Sequence, residues 1–390
     1  MFEKIKLLEK QNAFLIAFIL CVNTFSKILS IYIHIPFNIV MMETAALLLL
    51  AAINGFYIPL EKPTIAILLI VSGIMAFSLL RWRLDDRVVE RLLKFIMYGL
   101  FSMLCIQYPF NDRALIKSIF LFSFIHLAYL FFYAVEQINT GLMSIDDTMD
   151  FSYTSLIYLF ASAYIAEDCN EKFFSRLVAF AVSVAFIYFL VGVSVNRGAL
   201  IAVSCFFVLR FVAKLKSERL RIVLFICTII FSFIVYLNLV SILKSVDSFT
   251  RSCGVIIKPI QKTIQQMEYT DSMISGREHH YAVAIQMIKD SWAFPNGVAS
   301  FDIVKGIYYP HNIFLEAGIE LGFLGFILVT IVILRACYCI IFLQPERKNL
   351  ILIFFCLSIP RLMVSSSYWE NSFIWPMMVL LWTQDQSSAY

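Results

Sequence analysis

Residues 308–343 read YYPHNIFLEAGIELGFLGFILVTIVILRACYCIIFL. The segment opens with a histidine, two glutamates and three glycines, and it continues as an almost purely apolar run. A helix of about 20 apolar residues crosses the roughly 30 Å hydrocarbon core of a bilayer. The segment therefore predicts a transmembrane helix near 312–343 with polar residues at one membrane face.

The composition of the whole chain also indicates a membrane environment. Of 390 residues, 61% are hydrophobic and 15% are charged, and the mean hydropathy is +0.83. A soluble globular domain has about 45–50% apolar and about 25% charged residues. The chain is therefore predicted to reside in a membrane.

Apolar runs of spanning length recur along nearly the whole sequence, and most lack the polar face that a soluble α/β protein needs. We predict an all-α fold, a polytopic integral membrane helical bundle with about twelve transmembrane helices in a single domain, 1–390. The predicted spans lie near 12–34, 37–59, 64–81, 92–110, 114–136, 151–167, 172–195, 198–214, 220–244, 312–343, 349–366 and 370–385.

The orientation follows from the basic residues, which concentrate in cytoplasmic loops. Lys4, Lys6 and Lys10 place the N-terminus inside, and with twelve spans the basic turns at 214–221 and 347–348 also fall inside. No small-residue cleavage site follows the first apolar run, so we expect that run to be retained as a span. Both ends of the chain are then cytoplasmic.

The segment RWRLDDRVVERLLK, 81–94, conflicts with this rule because it carries four arginines and a lysine and yet falls outside. Two interpretations remain: an early span is miscounted, or the segment is an interfacial amphipathic helix whose arginines meet lipid phosphate. The second interpretation is favoured, because the basic turns at 214–221 and 347–348 then stay on the cytoplasmic side.

Most of the non-cytoplasmic polarity is gathered in one long outer loop, 245–311. Ser275 and Gly276 can start a helix there, with Arg277 near its beginning and its apolar side on the membrane surface. The turn FPNG, 294–297, ends that helix, and a second turn delivers His311. This loop is where chemistry is expected.

His311 is predicted to head a helical face that carries three glycines. Leu315, Gly318, Gly322 and Gly325 follow it at spacings of four, three, four and three, which is one face of a single helix. Glycine in a helix costs about 1 kcal/mol relative to alanine, and in membranes the usual compensation is close approach of another helix. We therefore expect the three glycines to pack helices.

Three outer-face groups could form a catalytic set: His311, Arg197 and Arg277. Arginines bind phosphate oxygens bidentately and stabilise the charge of a departing diphosphate, while a neutral histidine can accept a proton from a sugar hydroxyl. Arg197 has an alternative interpretation as an anchor that snorkels to the interface. The loop lacks a D-x-D pair and the nine cysteines form no C-x-x-C pair, so we expect neither a metal nor another cofactor.

The segment HNIFLEAGIELGFLG resembles the signature of the bacterial O-antigen ligase and polymerase superfamily: a histidine with Asn, Ser or Gln, nine residues, then G-x-x-G. His311-Asn312 is followed by nine residues and then by Gly322 and Gly325. The sequences NRGAL and SGR resemble the arginine motifs of that family, so the resemblance covers roughly 185–345.

The resemblance implies a metal-independent glycosyltransferase of the bacterial inner membrane that acts on the periplasmic face. Its implied substrate is an undecaprenyl-diphosphate-linked oligosaccharide, as donor and acceptor, in lipopolysaccharide O-antigen biosynthesis. By the same resemblance His311 is the catalytic base, Arg197 and Arg277 bind the diphosphate, and 245–311 is the large periplasmic loop. Partners are membrane lipid and, as a further candidate, a protein that regulates chain length; no nucleic acid is expected.

Polymerase and ligase share this core and differ in the acceptor, which is the next lipid-linked repeat unit or lipid A-core. The compact stretch from Arg277 to His311 looks more like the Wzy-type polymerases, so an O-antigen polymerase is favoured, with a ligase as the alternative. A flippase for the same lipid is a weaker alternative, because transporters are often built from repeated halves and the polar groups here lie in one unrepeated loop.

Three residues are expected to support the site: Asn312 of the motif, Tyr309 beside the histidine, and Glu316. Glu316 either faces the site, where it would orient His311 or bind a sugar hydroxyl, or serves packing. For Glu320 we expect hydrogen bonding between helices. Tyr281, Trp292 and Tyr308 are more typical of interfacial anchors.

Overall fold

The computed structural model describes residues 2–33, 38–134, 145–194, 196–225, 227, 239–252, 254, 261, 264, 278–291, 294–342 and 345–383, and no strand occurs among them. The α-helices are α1 Phe2–Leu20, α2 Val22–Ile33, α3 Ile39–Ile53, α4 Lys62–Arg81, α5 Asp86–Lys94, α6 Phe101–Cys105, α7 Asp112–Tyr129, α8 Ile145–Glu167, α9 Phe173–Tyr188, α10 Arg197–Lys214, α11 Leu239–Ser252, α12 Glu278–Ser291, α13 Ser300–Lys305, α14 Ile313–Glu320, α15 Phe323–Phe342, α16 Pro345–Leu362 and α17 Ile374–Trp382. Residues 218–225 are also helical. π-helical turns at Phe95–Leu100, Leu130–Ala134 and Phe189–Ser194 continue α5, α7 and α9, and a 3₁₀ turn spans Tyr368–Glu370.

Asparagines set the first residue of several helices. The side chains of Asn38, Asn111, Asn196 and Asn312 accept hydrogen bonds from backbone N–H groups in the first turns of α3, α7, α10 and α14. These N–H groups have no partner within the helix, and a side-chain oxygen at the N-cap satisfies them. The local sequence thus fixes where α10 and α14, which carry the motif residues, begin.

In the part of the chain that the structure describes, four helical segments are long and apolar enough to cross a membrane: Lys62–Arg81, Asp112–Phe132, Phe173–Val191 and Phe323–Phe342. A fifth results if the pair Glu3–Leu20 and Val22–Ser30, bent by 60°, is counted as one span. These helices fit a polytopic membrane protein. The expected number of about twelve spans is not confirmed.

The bundle is centred on α8, which packs against α7, α9, α10 and α16. Leu156, Tyr158 and Phe160 on this helix are fully buried. The ring of Phe160 stacks on that of Phe206 of α10 with centroids 4.1 Å apart. The core of the bundle is therefore formed by buried side chains of α8 and of the helices that pack around it.

The two ends of the bundle carry different polar groups. At one end, Glu167 at the end of α8 pairs with Arg210 near the end of α10 at 2.6 Å. At the other end lie the last turn of α4, the beginnings of α8 and α10, the end of α16 and residues 294–312, and we call this the site end. Its contacts are described below.

The prediction of a single helix over 312–343 is wrong. Helix α14 ends at Glu320, and Gly322 has φ +68°, a left-handed conformation that breaks the helix before α15 begins at Phe323. Glycine adopts this conformation without steric cost. His311, Gly318, Gly322 and Gly325 therefore do not lie on one helical face.

The other two glycines lie at close contacts. A Cβ atom on Gly325 would overlap the carbonyl oxygen of Ala317 in α14, and one on Gly318 would overlap the ring of Phe326 in α15. The absence of side chains at these two positions lets α14 and α15 fold back tightly on each other, while Gly322 makes the turn between them.

Candidate active site

His311 lies in a turn between α13 and α14 and has φ +58°. A left-handed conformation is uncommon for a non-glycine residue and persists where the surroundings hold it. The Tyr281 hydroxyl of α12 donates to the His311 carbonyl oxygen at 3.3 Å, and Asn312 caps α14 through the N–H groups of Phe314 and Leu315 at 2.9 and 3.3 Å. Asn312 thus supports the site by fixing the backbone that follows the histidine.

Two aromatic side chains flank the imidazole ring. The ring centroids of Tyr309 and His311 are 4.3 Å apart. The His280 ring stacks on the His311 ring, with centroids 5.8 Å apart and an interplanar angle of 12°. Nδ1 of His280 is buried with no hydrogen-bond partner within the described part of the chain. The tyrosine hydroxyl donates to the carbonyl oxygen of Ser365 at 2.8 Å. The histidine is therefore held between α12 and the loop after α16.

The basic segment 81–94 packs directly on residues 294–312. Arg81 and Trp82 donate to the carbonyl oxygens of Pro295 and Asn296 at 3.2 and 3.1 Å. In α5, Arg87 donates to the Asp302 carbonyl oxygen at 2.9 Å, and Arg91 donates to that of Tyr308 at 2.6 Å. The segment therefore lies at the site end, on the same side as 294–312, and its cations meet protein acceptors there rather than only lipid phosphate.

The two glutamates of α14 have different partners. Glu320 accepts hydrogen bonds from the Ala299 N–H at 2.9 Å, from the Trp369 indole N–H at 2.9 Å and from the Tyr368 hydroxyl. Glu320 therefore hydrogen-bonds to the 3₁₀ turn and to the residue that precedes α13, where we expected hydrogen bonds to another helix. Glu316 accepts a hydrogen bond from the Ser367 hydroxyl at 2.5 Å, and its Oε2 is buried.

Both carboxyl groups lie outside the candidate span Phe323–Phe342 and are almost fully buried, with 3% and 4% of their surface exposed. Burial raises the pKa of Glu316 well above its usual range, and the neighbouring charge of Glu320 raises it further. Glu316 anchors the 3₁₀ turn through Ser367.

The arginine positions are described to different extents. The backbone of Arg197 begins α10 at the site end, while its side chain lies outside the described structure. Arg277 and Trp292 also lie outside the described residues, and α12 begins at Glu278, directly after Arg277. Whether the two guanidinium groups converge on His311 stays a prediction.

A chain of contacts joins the start of α10 to the histidine turn. The Tyr153 hydroxyl of α8 lies against Gly198, where a Cβ atom would overlap it, and is hydrogen-bonded to Ser365 Oγ at 2.6 Å. The Ser365 carbonyl oxygen in turn accepts from Tyr309, which packs on His311. The backbone next to Arg197 is thus connected to His311 through two tyrosines and one serine.

An apolar groove of about 540 Å³ runs beside α4, α15 and α17. The groove reaches from Lys62, the first residue of α4, to Trp369 near the site end. Helix α14 contributes Ile313 and Ala317 to its wall. Its walls are almost entirely apolar, so the ligand it suits is a hydrocarbon chain.

Within the described ranges, no three His, Cys, Asp or Glu side chains lie close enough together to hold a metal ion.

Sequence reasoning missed several groups at the site end. Arg361, near the end of α16, lies inside a predicted span, and an ionisable residue in a span is by itself a signal of function. Lys94 and Glu370 pair at 2.6 Å although they are far apart in the sequence. The stacking of His280 on His311 likewise depends on how α12 folds back, which the local sequence does not show.

Among the described residues, four apolar helices have spanning length, or five if the bent pair α1 and α2 is one span, and the His311 turn lies at one end of the bundle. These features fit a polytopic membrane protein with a candidate active site at the site end. Residues 174–330 match the sequence profile of a family described as O-antigen ligase, and this similarity supports membership of the O-antigen ligase/polymerase superfamily. The matched region contains Arg197, Arg277 and His311. No curated protein matches the chain.

Proposed function

We propose that the chain is an O-antigen polymerase, a glycosyltransferase of the bacterial inner membrane whose active site faces the periplasm. It would transfer a glycan from undecaprenyl diphosphate to a new lipid-linked repeat unit. The observation that carries the proposal is the His311 turn, which is held in a left-handed conformation at the same end of the bundle as the start of α10. About twelve spans, with both chain ends cytoplasmic, complete the proposed topology.

In the proposed reaction, neutral His311 accepts the proton of an acceptor sugar hydroxyl. The hydroxyl oxygen forms a bond to the anomeric carbon of the donor while the bond from that carbon to the diphosphate oxygen breaks. Undecaprenyl diphosphate leaves with the bonding electron pair, and Arg197 and Arg277 stabilise the negative charge that develops on it. The reaction written in this way needs no metal ion.

The apolar groove supports a lipid-linked donor. Its wall includes Ile313 and Ala317 of α14, the helix whose first turn follows His311. A polyprenyl chain lying in the groove would bring its diphosphate to the site end of the bundle, where the histidine turn lies.

The ligase remains the second candidate, because the matched family is described as O-antigen ligase. A ligase would use the same donor and the same residues but would transfer the finished polymer to lipid A-core. A protein that regulates chain length is proposed as a partner only for the polymerase.

The test is gel analysis of lipopolysaccharide from cells that lack the gene and are complemented with wild type, His311→Ala or His279→Ala. His279 is an exposed neighbour on α12 and serves as the matched control. We expect wild type and His279→Ala to restore long O-chains and His311→Ala to leave core capped by one repeat unit. Core without O-chain, with long lipid-linked polymer accumulating, would identify a ligase, and full activity of His311→Ala at normal abundance would contradict the proposed site.

A further inference from the structure

A second cavity, of about 280 Å³, lies at the site end and is distinct from the apolar groove. Its walls come from the junction of α1 and α2, from α5, from the first turns of α8 and from 361–373, and they are more polar than apolar. The charged lining residues are Lys94, Asp150, Arg361 and Glu370, and Tyr98 and Tyr153 are among the aromatic ones. Such a wall suits a small polar ligand rather than a hydrocarbon chain.

The charges in the cavity wall are balanced. Asp150 is paired with Lys27 at 2.5 Å and lies 3.7 Å from Arg361, and Glu370 is paired with Lys94 at 2.6 Å. A site for a diphosphate would need a clear excess of positive charge. A balanced set of carboxylates, cations and hydroxyls instead matches a ligand that both donates and accepts hydrogen bonds, as sugar hydroxyls do.

One group in the wall is incompletely satisfied. Arg361 lies over the Tyr153 ring at 4.6 Å, and its Nε is buried with no hydrogen-bond partner within the described part of the chain. The Arg361 side chain as a whole is 24% exposed and lines the cavity, and its Nη2 lies 3.7 Å from Asp150 Oδ1, beyond a direct hydrogen bond, so the outer part of the guanidinium can donate to a ligand.

The cavity adjoins the histidine turn through shared residues. Tyr153 is bonded to Ser365, whose carbonyl oxygen accepts from Tyr309, the residue that packs on His311. On the other wall, Glu370 accepts from the Tyr308 hydroxyl at 2.5 Å. A ligand in the cavity would therefore be held next to the two tyrosines that precede His311.

We propose that this cavity binds one sugar residue of the lipid-linked repeat unit, with Asp150 and Glu370 accepting hydrogen bonds from adjacent sugar hydroxyls and Arg361 donating to a third. The cavity would then select the glycan. This inference rests on the proposed function, because it assigns the sugar specificity of the same site. The sugar belongs either to the donor or to the acceptor.

The experiment measures binding of the free repeat-unit oligosaccharide, without lipid or diphosphate, to the purified full chain in nanodiscs. We expect wild type and His279→Ala to bind alike, because exposed His279 does not line the cavity, while Asp150→Asn and Glu370→Gln weaken binding by at least about tenfold. If either substitution prevents folding, Ser372→Met fills the same cavity without breaking an ion pair. Wild-type affinity in the folded variants, or no binding by wild type, would overturn the proposal.

A turnover assay distinguishes the two sources of the sugar. If the acceptor sugar occupies the cavity, the free oligosaccharide is elongated to a water-soluble product in an Asp150-dependent manner; if the donor sugar does, the oligosaccharide only inhibits. Both results support the cavity as a sugar site. Failure of the proposed reaction itself would appear separately, as full activity of His311→Ala in the lipopolysaccharide test.

Discussion

The Arg91 guanidinium lies 3.3 Å from the ring centroid of Tyr308 and donates a hydrogen bond to the Tyr308 carbonyl oxygen at 2.6 Å. Arg91 is 1% exposed and lies 3.7 Å from Asp302 and 4.0 Å from Glu370. One buried cation thus ties α5 to the turn before His311 and to the 3₁₀ turn. The position of the catalytic candidate depends on a helix more than 200 residues earlier in the chain.

The first prediction concerns this cation. Arg91→Ala removes one partner from a buried charge cluster, so we expect the free energy of unfolding to fall by about 3–5 kcal/mol and O-chain formation to be lost. Thermal unfolding of the purified protein and the lipopolysaccharide gel are the measurements. The control is Arg83→Ala at an exposed position of the same segment, which we expect to change stability by less than about 0.5 kcal/mol. Equal behaviour of the two variants would contradict the assigned role of Arg91.

The second prediction concerns the contact between α14 and α15. A methyl group at Gly325 would overlap backbone of Ala317, which cannot rotate away, so Gly325→Ala should destabilise the protein by about 1–3 kcal/mol. At Gly73 in α4 nothing lies within 4 Å, and Gly73→Ala should be neutral or slightly stabilising. Thermal unfolding of both variants in detergent tests the difference, and a stable Gly325→Ala protein would show that the helices can separate without cost.

The third prediction separates the two glutamates of α14. Glu320→Gln has one acceptor oxygen for three donors, and each donor left unpaired costs about 1–3 kcal/mol. Glu316→Gln resembles a protonated carboxyl and keeps an acceptor for Ser367, so we expect near wild-type stability and activity. Thermal unfolding and the gel assay compare the two variants. A Glu316→Gln protein that folds but is inactive would assign Glu316 a chemical role.

The fourth prediction concerns how the contribution of Glu316 to the stability of the folded protein depends on pH. Because the pKa of Glu316 is raised in the folded protein, its contribution to stability is complete below the unfolded pKa of about 4.3 and is lost as the pH rises through the folded-state pKa. The melting temperature of wild type should therefore fall toward alkaline pH more steeply than that of Glu316→Gln. Parallel curves for the two proteins would show that Glu316 is ionised in the fold.

The fifth prediction concerns the link from α10 to the histidine turn. The methyl group of Gly198→Ala would displace the Tyr153 hydroxyl from Ser365, so we expect loss of O-chain formation. Adding Tyr153→Phe removes the overlapping oxygen and should restore part of the lost thermal stability, measured on the single and double variants. The absence of any coupling between the two substitutions would mean that Gly198 and Tyr153 act independently.

The positions of helix ends could be predicted from local sequence more easily than the arrangement of the site. Asn312 is a strong N-cap residue, so the beginning of α14 follows from the sequence itself. The sequence spacing predicts Gly322 on the face of one helix, but a spacing of three and four fits a continuous helix and equally fits two helices joined at a left-handed glycine. Spacing alone cannot distinguish these two, since only the packing of Gly325 on Ala317 decides that the chain turns back.

The sequence by itself determined the membrane environment, the helical class and the superfamily motif around His311, because hydrocarbon solvation and backbone hydrogen bonding leave a chain of this composition few alternatives. Only the tertiary structure decided which distant groups surround the motif. Arg91, Glu370 and Tyr153 reach the histidine turn through contacts that join residues far apart in the chain. Their pairing depends on how charges are desolvated together at one end of the bundle, and no local pattern in the sequence specifies that.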